Sequence, residues 1–117
     1  MNLIKYLTIF LVTLPIASFA DTSGCNISGT WKHADKNAWL ELDLSSKTIK
    51  VKEHKDNPKA NGYTVIKDIK LITELNYSGY MYHAANDNYV AVELVHNNCK
   101  EIVVLYNKDK ILTLHKE

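Results

Sequence analysis

Four tyrosines, Tyr77, Tyr80, Tyr82 and Tyr89, fall close together, interleaved with Ser78, Met81, His83, Asn86 and Asn88. Tyrosine among small polar residues builds broad, stiff, amphipathic contact area with little loss of side-chain entropy, as recognition loops do. The same rings also serve as strand-pair packing with their hydroxyls at the rim. This run is too polar and too rich in turn residues to bury all four rings, so at least two are expected at the surface. Tyr77, Ser78, Tyr80, Tyr82, His83 and Tyr89 are therefore the candidate binding residues. Their chemistry is non-covalent contact with another macromolecule.

Bond-making constellations are sparse. Glu41 and Asp43 share one face of a strand pattern, where two carboxylates can work as acid and base; a solvated outer face explains them as well. Ser78, His83 and Asp87 are near one another in sequence, but a triad is made by geometry, not proximity. The chain has no Gly-x-Ser-x-Gly, no His-Glu-x-x-His and no glycine-rich phosphate loop. His33, His54, His83, His96 and His115 are scattered without ligand spacing and read as surface residues. No catalytic residue, metal or cofactor is expected.

The elements that must position the tyrosines follow a leader. Lys5 gives a positive start, Tyr6 to Pro15 an apolar core, and Ser18-Phe19-Ala20 a small-x-small cleavage site. The apolar stretch is too short for a spanning helix. Residues 1–20 are read as a signal peptide removed on export, leaving 21–117 as one domain in a periplasmic or secreted protein. All 14 basic residues are Lys, against 13 acidic ones, and Lys5 lies in the leader. The balanced charge and the absence of Arg argue against nucleic acid, whose phosphates favour basic patches and guanidinium forks.

Cys25 and Cys99 are the only cysteines. In an exported chain they read as one disulfide, closing a loop of about 75 residues worth ~4.5 kcal/mol in the chain-entropy account. A second reading stays open: Thr22-Ser23-Gly24-Cys25 resembles a bacterial lipobox, in which Cys25 would carry lipid and Cys99 would stay unpaired.

Alternation of apolar and polar residues marks the strands. Gly29 to His33 is the first. Ala38 to Ser45 follows, with Ala38, Leu40, Leu42 and Leu44 on one face. Thr48 to His54 returns it, with Ile49 and Val51 inward and Lys50 and Lys52 placed to pair with Glu41 and Asp43. Lys55 to Gly62 is a loop. Tyr63 to Lys67 and Ile69 to Tyr77 read as two strands, broken from a short strand Tyr80–His83 by Ser78-Gly79. Ile66, Ile69, Ile72 and Leu75 also recur at helical spacing, but the β-branched content favours strand. Val90, Val92 and Leu94 alternate inward, Asn97-Asn98 turns the chain, and Ile102 to Tyr106 and Ile111 to His115 complete it. Eight or nine short strands separated by turns predict an all-β fold: a small antiparallel barrel of about eight strands.

Gly29-Thr30-Trp31 on the first strand is similar to the Gly-x-Trp of lipocalins and related small barrels. That resemblance implies a tryptophan plugging the closed end, and a small-molecule carrier with a cavity lined by Leu40, Leu42, Val92 and Leu94. Ser78-Gly79-Tyr80-Met81-Tyr82 resembles the Ser-Gly-x-x-Tyr loop of periplasmic inhibitors of c-type lysozyme. Small size, an export leader, the aromatic-polar Tyr77–Tyr89 segment and the lack of a catalytic constellation give the leading expectation, a non-catalytic inhibitor or immunity-type protein that occludes an envelope hydrolase or toxin, with the carrier as the alternative.

Overall fold

The computed structural model describes residues 25–117. The leader reading, and most of the lipobox motif, fall outside the described residues. Eight strands appear in chain order: β1 Gly29–His33, β2 Ala38–Asp43, β3 Thr48–His54, β4 Thr64–Thr73, β5 Asn76–His83, β6 Asn88–Asn97, β7 Glu101–Tyr106 and β8 Asp109–Lys116. Each pairs antiparallel with the next, and β8 returns to β1, closing a barrel. No helix among the described residues is long and apolar enough to cross a membrane.

The period-2 patterns build this wall. In β2, Ala38, Leu40 and Leu42 are buried while Trp39, Glu41 and Asp43 lie outward. In β3 the same holds for Ile49 and Val51 against Lys50 and Lys52. Val92 and Leu94 of β6 and Ile102 and Val104 of β7 meet them inside. Burying each such side chain stabilises the fold by about 1.5–3 kcal/mol. Trp31 is wholly buried, and its Nε1–H donates to the Ile27 carbonyl at 2.9 Å. That bond satisfies the one polar atom which burial would otherwise strand.

Turn chemistry fits the connections. Asn107 and Lys108 both take positive φ, 50° and 70°, as a two-residue hairpin between right-twisted strands requires. Pro58 opens a single 3-10 turn in the predicted 55–62 loop, where its missing N–H leaves no bond unmade. The Cys25–Cys99 disulfide is present and no cysteine is free.

The middle of the chain differs from expectation. The strand read at 63–67 and the first part of the one read at 69–77 form one strand, β4, kinked at Asp68, which adopts φ 55°. An extra residue at this bulge lets both Ile66 and Ile69 point inward. Ser78-Gly79 is not a break but the interior of β5, and the turn falls at Glu74-Leu75. Gly79 is there for room: a Cβ would lie 3.0 Å from Ile66 Cγ2 and 3.3 Å from the Lys67 carbonyl oxygen. The Glu74-Leu75 turn carries no glycine, proline or asparagine because His96 holds it. The His96 ring Nε2–H donates to the Glu74 carbonyl at 2.9 Å, and the His96 backbone N–H donates to that of Leu75 at 3.1 Å. His96 is consequently buried, against its reading as a surface residue.

Two stability measurements follow from this packing. Gly79→Ala loses about 1–2 kcal/mol in denaturant unfolding, since the Lys67 backbone cannot retreat and overpacking outweighs the strand-propensity gain. The double substitution Cys25→Ser/Cys99→Ser lowers stability by about 2–5 kcal/mol in the same assay.

Candidate functional site

Strand alternation divides the six residues singled out from sequence between two faces of β5 and β6. Tyr77 and His83 point inward with Gly79 and Met81; Tyr77 packs on the core with its ring 6.2 Å from that of His96. The His83 ring sits 6.4 Å from Tyr106, and its Nδ1 is buried without a hydrogen bond. Ser78, Tyr80, Tyr82 and Tyr89 face outward, in register with Glu93, Ala91 and, for the last two, each other. They do not form one contact loop. Of the four tyrosines only Tyr80 is exposed; the expectation of at least two is not met.

The half-buried rings are engaged. Tyr82 stands edge-on to Tyr63 at 5.3 Å and to Tyr89 at 5.6 Å. Its hydroxyl donates to Asp87 Oδ1 at 2.7 Å, and this bond, reinforced by partial burial, pushes its pKa up to about 12. The Tyr89 hydroxyl donates to the Thr64 carbonyl, and Lys67 Nζ lies 4.2 Å above its ring. Three rings, a carboxylate and an ammonium thus form a fixed outer cluster, with Tyr80 beside it.

The larger feature was not singled out from sequence. β3 pairs with β4 only at Ile49–Ile66 and Lys50–Thr64, and the last bond across that seam runs from Ile69 N–H to the Lys47 carbonyl. Beyond Ile69 the β4–β5 hairpin therefore has no strand neighbour on its β4 side, while β5 stays paired with β6 as far as Asn76–Val95. Leu71 lies opposite inward-facing Tyr77, yet no strand closes over it. Leu71 and Ile72 are each 59% exposed and Leu75 51%. Tyr63 and Tyr80, both 46% exposed, lie on the approach to and return from the same hairpin. The sequence signal was present in the adjacent pair Leu71-Ile72, where a half-buried strand should alternate.

The other constellations resolve into separate local bonds. Glu41 accepts from the Thr30 hydroxyl at 2.8 Å and lies 3.8 Å from Lys52 Nζ, while Asp43 accepts from the Ser45 hydroxyl and N–H. Those Ser45 bonds hold the Asp43 carboxyl below its ordinary range. Ser78 and His83 lie on opposite faces, and Asp87 bonds Tyr82. Cys25, His96 and Cys99 bring their ligand atoms within 4.8 Å of one another, with the two sulfurs bonded together.

At the opposite end of the barrel His33 and His54 flank the open mouth, together with Lys36. Burial, followed by the Lys36 ammonium, holds His33 below its ordinary 6.5, with Asp35 opposing. Leu40, placed in the expected carrier cavity, reaches this mouth, whereas Leu42, Val92 and Leu94 are packed in the core.

Comparison of the chain with protein-family models, with curated proteins and with solved structures finds no match.

The His33 environment sets a pH dependence. Folded protein binds fewer protons at this site than unfolded chain, so the contribution is complete above pH 6.5 and is lost as pH falls below it. The thermal midpoint should drop from pH 7 to pH 5, and His33→Asn should reduce that drop. NMR titration of the ring protons should place the His33 midpoint below the ordinary histidine value of 6.5.

Proposed function

We propose that this chain is an exported, non-catalytic binding protein that acts by occlusion. The β4–β5 hairpin enters a cleft of a partner protein, and the tyrosine cluster seats beside it. One observation carries this reading. Among the described residues, six large apolar side chains are exposed, and five of them fall between Tyr63 and Tyr80, on one hairpin and its approach. Exposed apolar area concentrated on one element is the pattern of an interaction surface. The hairpin is also preorganised by the two His96 bonds, which reduces the ordering cost of association. The partner class that suits an exported wedge is an envelope hydrolase or toxin.

The test is a panel of cell-wall hydrolases assayed for turnover with increasing protein. At least one should be inhibited stoichiometrically. Ile72→Asp and Tyr80→Ala should each weaken that inhibition by about tenfold or more, the range of an interface hot spot. Full hydrolase activity throughout the panel, or inhibition untouched by both substitutions, removes this reading.

A further inference from the structure

The open mouth of the barrel holds a recess remote from the hairpin tip. Its walls are Leu40, Val51, Val65, Met81 and Leu112, and its volume is about 170 Å³. Its rim carries His33, His54 and Lys36. Among the described residues no acidic side chain lines it.

The two imidazoles are held in the same way. His33 Nδ1 accepts the backbone N–H groups of Asp35 at 3.0 Å and Lys36 at 3.2 Å. His54 Nδ1 accepts that of Asn57 at 3.0 Å. A neutral ring whose Nδ1 accepts carries its proton on Nε2. Each rim histidine therefore keeps an Nε2–H donor, and neither keeps an acceptor. With the Lys36 ammonium, the rim offers donors and positive charge above apolar walls. That combination selects a ligand with an apolar body and an anionic, accepting head. Size sets the body: a dry apolar cavity of about 150 Å³ holds one benzene ring.

We propose that the barrel mouth is a binding site for a small organic monocarboxylate whose apolar body is about one ring in size. The body fills the space between Leu40, Val51, Val65, Met81 and Leu112. The carboxylate accepts from the Nε2–H groups of His33 and His54 and pairs with Lys36. This site is independent of the hairpin, and either can fail without the other.

Benzoate is the probe, titrated into the protein and followed by NMR and calorimetry. Acetate supplies the head without the body, and benzyl alcohol the body without the charge. Benzoate should shift the methyl resonances of the five wall residues and bind at least about tenfold more tightly than either fragment. His33→Asn and His54→Asn keep an acceptor for the backbone N–H groups and delete the Nε2–H donor. Each should weaken benzoate about tenfold while leaving the unliganded spectrum folded. Val65→Phe, which fills the recess from a half-buried position, should abolish binding. Unmoved wall resonances overturn the proposal, as does benzoate affinity equal to that of the fragments. Unchanged affinity in both histidine variants overturns it too.

Discussion

Three residue pairs between the first and last strands decide what this molecule is. Trp31–Lys116, Lys32–His115 and His33–Leu114 join β1 to β8. Without them, two strands would present unpaired N–H and C=O groups to solvent or to another chain. With them, the backbone of the wall is satisfied by its own neighbours and the interior is enclosed. The backbone bond from Glu117 N–H to the Thr30 carbonyl extends the seam by a residue, and the Glu117 carboxylate accepts from Trp39 Nε1 on the outer surface. Closure also makes the exception conspicuous. Where β4 outruns β3, the wall has a free edge, and Leu71 and Ile72 lie exposed along it.

The architecture was readable because a closed barrel imposes a local rule on every strand. Each inward position must be apolar and its neighbours need not be, so Leu40-Glu41-Leu42 and Val92-Glu93-Leu94 announce themselves. The disulfide was readable from two cysteines and a leader pattern. The hairpin at β4–β5 was not readable, for two reasons. Its turn, Glu74-Leu75, draws its hydrogen bonds from His96, about twenty positions along the chain and across the wall, so no local residue advertises it. Its glycine lies in mid-strand to admit Ile66 and Ile69, a tertiary demand that looks like punctuation in one dimension.

The candidate site was legible in composition and illegible in arrangement. Tyrosines among polar residues drew attention to β5 and β6, where Tyr82 and Tyr89 pack edge-on to each other. Alternation then split Tyr77 and His83 from Tyr80 and Tyr82, which nearness along the chain obscures. Tyr63, just before β4, joined the cluster although sequence order places it far from Tyr89. The mouth recess is built from β1 through β5 and β8, and only the closed wall brings those side chains to one place.

His96 carries a consequence of its own. One imidazole bonds the Glu74 carbonyl on one side and accepts the Cys99 N–H at 3.3 Å on the other. The bridge between the sulfurs and the Glu74-Leu75 turn are thereby spliced through a single ring. Opening the disulfide would release Cys99 from Cys25 and leave the β6–β7 turn tied to the Glu74-Leu75 turn through the His96 ring alone.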